Sequence, residues 1–140
     1  MLINPNLVVP PGWSVERCPE TGDDLLLCDA LPASGFRPRA TLTSARCALS
    51  LREWQDAQVL AVRQSLSRVD VEDVDIHDLG MCDAAYVRVL HTFGERDVIT
   101  EIWSWVAAEV AWTLRATVDH CDYADFCDVF EQLALSFRSS

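Results

Sequence analysis

The stretch Glu101 to Val118, EIWSWVAAEVAWTLRATV, constrains the fold more than any other, because it carries Trp103, Trp105 and Trp112, three of the five tryptophans in the chain. Its apolar residues recur at every second position. Trp103 and Trp105 share a side with Ile99 and Glu101, while Val110, Trp112, Leu114, Ala116 and Val118 oppose Thr113, Arg115, Thr117 and Asp119. A period of two belongs to strands. A two-residue turn at Ala108-Glu109 sets Trp105 opposite Trp112 and Trp103 opposite Leu114, whereas an odd loop sets Trp112 against Ser104. Aromatic cross-strand pairs add about 0.2–1 kcal/mol each, which favours the even loop.

The preceding strand is YVRVLHTF, Tyr86 to Phe93, in which Val87, Val89, His91 and Phe93 share a side. A three-residue loop, Glu95 to Asp97, sets these opposite Trp105, Trp103, Glu101 and Ile99. Apolar then meets apolar at three positions, and His91 meets Glu101. A carboxylate buried alone costs several kcal/mol, and pairing it with imidazole offsets much of that. The expectation is that His91 and Glu101 are cross-strand neighbours.

The rest of the chain supplies the partners of this sheet. PPGW, Pro10 to Trp13, ends an extended N-terminal segment, and the turn PETGDD leads into the short apolar run DLLLCDA. RATLTSA reads as a further strand. SLRE is a capping box, in which Ser50 and Glu53 exchange hydrogen bonds with each other's amides. The helix it opens runs to about Ser67 and shows Leu51, Trp54, Ala57 and Ala61 on one side. VDVEDVDIHDL alternates apolar and acidic residues with one extra acid at Glu72-Asp73, the signature of a bulge in an edge strand. Finally, Tyr123, Phe126, Phe130, Leu133, Ala134 and Phe137 fall at helical spacing, with Asp122 as a candidate cap. Strands, helix, antiparallel strands and helix make an α+β domain, with 140 residues forming a single unit.

Composition then removes whole classes of function. A formal net charge of −11 opposes binding to nucleic acid or to anionic membranes. All eleven basic residues are arginine, so Schiff-base and P-loop lysine chemistry are excluded. No apolar run reaches the length of a membrane span, and MLINPNLVVPPGW lacks the basic start and cleavage site of a signal peptide. A cytoplasmic protein is the resulting expectation, although a trimmed signal or lipoprotein leader leaves the same trace. The six cysteines contain no C-x-x-C, and neither His120-Cys121 nor His77 with Cys82 has a second half at zinc-site spacing, so no metal or cofactor is expected. The acids Asp70, Glu72, Asp73, Asp75 and Asp78 lack the glycine and terminal glutamate of a calcium loop, and read as a charge-guarded edge.

Two groups of residues carry both a structural and a functional reading. Trp103, Trp105 and Trp112 are either core or a ligand platform. His91 and Glu101 are either a satisfied polar pair or a general acid/base couple, and no nucleophile accompanies them in the sequence.

Taken in order, PPGW, GFRPRATLTSA, SLREW, LGMCDAAYVRV, WTLRATV and LALSFR resemble the PsbP-like (Mog-type) superfamily, and within it the DcrB-like and LpqN-like small bacterial proteins. Arg39 stands where that family has asparagine, and GMCDAA departs from its Gly-Ala strand start. The resemblance implies an antiparallel sheet of about six to seven strands packed by helices, a PsbP-like α/β sandwich. Its members resemble adaptors and secretion chaperones, often dimeric, rather than enzymes, and they share no catalytic motif to carry over. The expected function is a non-enzymatic protein-binding or adaptor module, a homodimer in the manner of the family, with a basic protein segment as partner. The alternative is a chaperone-like protein that shelters apolar segments of a partner. A third reading is an enzyme using His91 and Glu101.

Overall fold

In the computed structural model of the chain, residues 2–3, 6–19, 21–80 and 82–139 are described. Glu20 of the PETGDD turn and Met81 of the LGMCDAA stretch lie outside them. The strands are β1 (Leu2–Ile3), β2 (Leu7–Val8), β3 (Trp13–Arg17), β4 (Asp24–Cys28), β5 (Arg39–Arg46), β6 (Ser67–Asp78), β7 (Asp83–Phe93), β8 (Arg96–Ala107) and β9 (Val110–Asp119). The helices are α1 (Leu51–Ser65) and α2 (Tyr123–Leu135). The last seven strands form one antiparallel sheet in the order β3-β4-β5-β9-β8-β7-β6, and β1 pairs with β2 in a small separate ribbon. The fold is α+β, a seven-stranded antiparallel sheet with a helix on each side.

The β8–β9 hairpin turns at Ala108-Glu109 and sets Trp105 opposite Trp112 and Trp103 opposite Leu114. Both turn residues have positive φ, 51° and 62°, the backbone that lets a two-residue turn follow the twist of its strands. From that turn, Trp103, Trp105, Trp112, Leu114, Ala116 and Val118 all fall on one face. Helix α2 covers it: Phe137 stacks on Trp105 at 4.1 Å, and Phe126 and Phe130 meet Trp13 edge-on at 6.4 and 6.3 Å. Burying a Phe or Leu side chain here contributes about 1.5–3 kcal/mol each.

The β7–β8 hairpin differs from expectation. Its turn is the two residues Gly94-Glu95, with Phe93 paired to Arg96, so Arg88 faces Glu101 and His91 faces Val98. His91 and Glu101 therefore lie on opposite faces of the sheet, and the expected pair does not exist. The physical reason is that β7 and β8 are buried on both faces, so hydrophobic alternation does not distinguish one parity from the other. The turn decides instead, with Gly94 at φ 65°.

Helix α1 begins with the capping box: the Glu53 amide donates to Ser50 Oγ at 3.2 Å, and the Ser50 amide to Glu53 Oε1 at 3.0 Å. The side it buries is not the Leu51-Trp54-Ala57-Ala61 stripe. Val62, with Val59 and Leu66 partly buried beside it, packs on Val87, Val89, Ile102 and Val71. Gln55 reaches into the sheet and donates to the carbonyls of Asp75 and Tyr86. Helix α1 packs chiefly on β6, β7 and β8, so among the described residues no helix packs closely over the same face of β9, β5, β4 and β3.

Strand β6 is an edge, and its register slips between Val71 and Asp73, placing the bulge at Glu72. The slip gathers Asp70, Asp73 and Asp75 opposite Leu90, Arg88 and Tyr86 on the α2 side, where unbroken alternation would divide them. At the other end of the sheet, Asp119 rather than Asp122 provides the first side-chain cap, accepting from the Cys121 amide at 2.8 Å. A short 3-10 turn, His120–Asp122, precedes α2, and the Asp122 carboxylate accepts from the Ser34 hydroxyl instead.

Candidate functional site

Register places Tyr86, Arg88, Glu101 and Trp103 side by side on the α2 face of β7 and β8. Next to them β6 adds Asp73, His77 and Asp78, and α2 adds Tyr123, Cys127, Asp128 and Glu131. Together they line a cleft of about 540 Å³ between the edge of the sheet and the helix.

Glu101 lies at its base, 4 % exposed. The Tyr86 hydroxyl donates to Glu101 Oε2, while Oε1 has no hydrogen-bond partner of good geometry. Burial pushes the Glu101 carboxyl above the ordinary range; the Tyr86 and Tyr123 hydroxyls and the Arg88 charge pull the other way without cancelling it. The Tyr86 phenol is pushed up as well, by burial first and by the adjoining carboxylate second. His77 stacks flat on Tyr86 with ring centres 4.4 Å apart, and Tyr86 leans on Trp103 at 5.3 Å. Arg88 lines the same cleft and acts on Glu101 and on both tyrosine hydroxyls; its Nε donates to Glu72 Oε1 at 3.2 Å, and its guanidinium lies 6.0 Å from the Tyr123 ring centre.

The cleft thus combines a buried acceptor atom with four further carboxylates, Asp73, Asp78, Asp128 and Glu131, and three aromatic rings, Tyr86, Trp103 and Tyr123. Such a lining suits a cation with a short apolar stem: aromatic faces attract it and the carboxylates complete its hydrogen bonds. Among the described residues, no group of three or more His, Cys, Asp or Glu side chains is arranged to hold a metal ion.

Of the residues singled out in the sequence, Glu101, Trp103, His77, Asp73 and Asp78 belong to this cleft. Trp105 is 3 % exposed, and with the half-buried Trp112 it packs against Phe137 in the core. His91 occupies the other face, 6 % exposed, with Nε2 hydrogen-bonded to Thr100 Oγ1 at 2.8 Å. Burial lowers its pKa, opposed by a weak contact with the Thr92 backbone. Sequence reasoning missed Tyr86, Arg88 and Tyr123. The signal that finds the first two is the two-residue turn at Gly94-Glu95, which carries Arg88 to Glu101 and Tyr86 to Trp103.

No family model and no curated protein matches the chain. Solved structures do match its fold. LpqN of Mycobacterium tuberculosis, described as involved in cell envelope biogenesis, superposes with a TM-score of 0.69 at 12 % identity, over 91 % of this chain and 78 % of that one. PA94 of Pseudomonas aeruginosa, a protein of unknown function, gives 0.68 at 13 % identity, over 91 % and 97 %. The cyanobacterial PsbP protein, CyanoP, of Synechocystis sp. PCC 6803 gives 0.62 at 11 % identity, over 92 % and 82 %. At such identities the likeness is one of architecture, and the chain has a PsbP-like, LpqN-like fold.

Proposed function

We propose that this chain is a non-enzymatic binding module, and that it recognises a protein partner by taking a basic side chain, lysine or arginine, into the Glu101 cleft. The observation that carries this reading is the buried Glu101 carboxylate with its unpartnered Oε1 at the base of a cleft bordered by four more acids. A buried polar atom without a partner costs about 1–3 kcal/mol, and an incoming ammonium or guanidinium would remove that cost. The net charge of −11 supports the same choice of partner, since complementary fields speed encounter. The placement of His91 and Glu101 on opposite faces of the sheet gives no support to a reading in which the two act together as acid and base. A chaperone groove walled by Trp103, Trp105 and Trp112 would require α2 to leave the sheet, because Phe137 and Phe130 pack beneath it.

Titration with a short peptide carrying one lysine among glycines and serines tests the proposal. The side-chain resonances of Tyr86 and Trp103 should shift saturably, and Glu101→Gln should weaken binding at least tenfold. Acetylating the lysine should abolish the shifts. Equal binding of the acetylated peptide, or of the Glu101→Gln variant, would refute it.

A further inference from the structure

The opposite face of the sheet carries the reverse chemistry, independently of the reading above. Arg39 and Arg115 are diagonal neighbours there, since Arg39 pairs with Thr117 and Arg115 with Thr41 across β5 and β9. Both are half-buried, neither forms an ion pair with a described residue, and the Arg39 guanidinium lies 4.9 Å over the Phe36 ring. In a chain with 22 acidic and 11 basic residues, two adjacent guanidiniums without a carboxylate need an explanation. Asp119, on the same face, is held by Arg96 at 2.7 Å. Burial depresses the Arg115 pKa, as expected for a charge that lacks a counterion.

Among the described residues, the buried nitrogens Arg39 Nε, His91 Nδ1 and Trp54 Nε1 on this side have no hydrogen-bond partner. Arginine and indole nitrogens only donate, and His91 Nδ1 donates when Nε2 accepts from Thr100. The missing partner is therefore an acceptor. Arg39, His91 and Arg115 line a pocket of about 130 Å³ whose other walls include Phe36, Leu66 and Phe93. Arg115 also borders a groove of about 300 Å³ walled by Trp54, Ala57, Gln58 and Ala61. The apolar stripe of α1 that does not enter the core forms that wall.

We propose that this groove is a second binding site, for a small amphipathic carboxylate whose anionic head sits between Arg39 and Arg115 and whose apolar body lies along Trp54, Ala57 and Ala61. Two guanidinium forks match a carboxylate geometrically. The largely apolar walls of the head pocket suit a monoanion better than a strongly hydrated dianion.

Octanoate is the probe, followed through the Trp54 indole N–H and the His91 ring resonances. Both should shift saturably, with affinity at least tenfold above that for acetate, octyl phosphate or octylammonium. Arg39→Gln and Arg115→Gln should each weaken octanoate at least tenfold while the protein melts as before. Arg63→Gln, which removes the same charge from the exposed side of α1, should leave binding unchanged. Full octanoate affinity in both groove variants would overturn the proposal, as would equal binding of octylammonium. Tighter binding of octyl phosphate, or shifts confined to residues outside the groove, would overturn it as well.

Discussion

The two faces of the central sheet differ in polarity as well as in covering. Under α2, the face is closed by stacked aromatic rings, and the cleft that opens there ends at Glu101 Oε1, an acceptor without a hydrogen-bond partner among the described residues. On the α1 side, the helix packs chiefly on β6 to β8, and among the described residues the buried atoms without hydrogen-bond partners are nitrogens. Strand alternation produces this contrast within single strands: Glu101 and Thr100 are adjacent in sequence yet line different sites, and Arg115 borders the groove while its neighbour Leu114 is buried in the core under α2. The lesson is that the two faces hold buried groups of opposite kind, a carboxyl bonded to a phenol under α2 and guanidinium, imidazole and indole nitrogens on the α1 side.

The largest test of that contrast is stability. Phe130→Ala should cost about 3–5 kcal/mol, because Phe130 is fully buried between α2 and Trp13. Trp54→Ala, which removes a larger side chain from the wall of the groove, should cost only about 1 kcal/mol. Urea unfolding of the two variants settles it, and equal losses would mean that α1 closes its face as fully as α2 does.

Next in size is Tyr86→Phe, which strips the buried Glu101 carboxyl of its donor and should destabilise by about 1–3 kcal/mol. Making the change in a Glu101→Gln background should shrink the loss, since the two groups act on each other.

The pH dependence should have opposite signs on the two faces. The Glu101 pKa is raised in the folded state, chiefly by burial, so its contribution is complete below the ordinary glutamate range, about pH 4.3, and is lost as pH climbs through the raised value. The His91 pKa is lowered, again chiefly by burial, so its contribution is complete above about pH 6.5 and is lost as pH falls through the lowered value. Unfolding free energies of wild type, Glu101→Gln and His91→Gln across that range give the two slopes by difference. Slopes of the same sign would break the comparison.

The smallest effect concerns the turn that assigns β9 side chains to their faces. Ala108 and Glu109 both hold positive φ without being glycine. Glu109→Gly should stabilise the protein by about 1 kcal/mol without changing either site, as read by thermal melting and by unchanged Trp103 and Trp54 shifts.

Much of this architecture is legible in the residues. The Ala108-Glu109 turn and the pairing of Trp105 with Trp112 follow from alternation on a strand whose other face is largely polar. The capping box at Ser50, the bulge at Glu72 and the buried side of α2 follow from equally local patterns. The site is less legible. Matching His91 to Glu101 satisfied two polar residues at once, but the true turn gives Glu101 a phenol from its own face and gives His91 a threonine from the other. In α1, Trp54, Ala57 and Ala61 make a credible apolar stripe, yet Val62 and Leu66 meet the sheet, because the helix lies over β6 to β8 and turns its stripe toward the open half.

By itself the sequence determines the elements, the antiparallel class and the excess of acid, since periodicity, caps and charge act over a few residues. Only the tertiary structure decides which polar groups lack partners. In β7 and β8, with both faces buried, one residue in a turn moves every side chain to the other side. Whether Glu101 meets His91 or Tyr86 is thus fixed by long-range packing that no local pattern records.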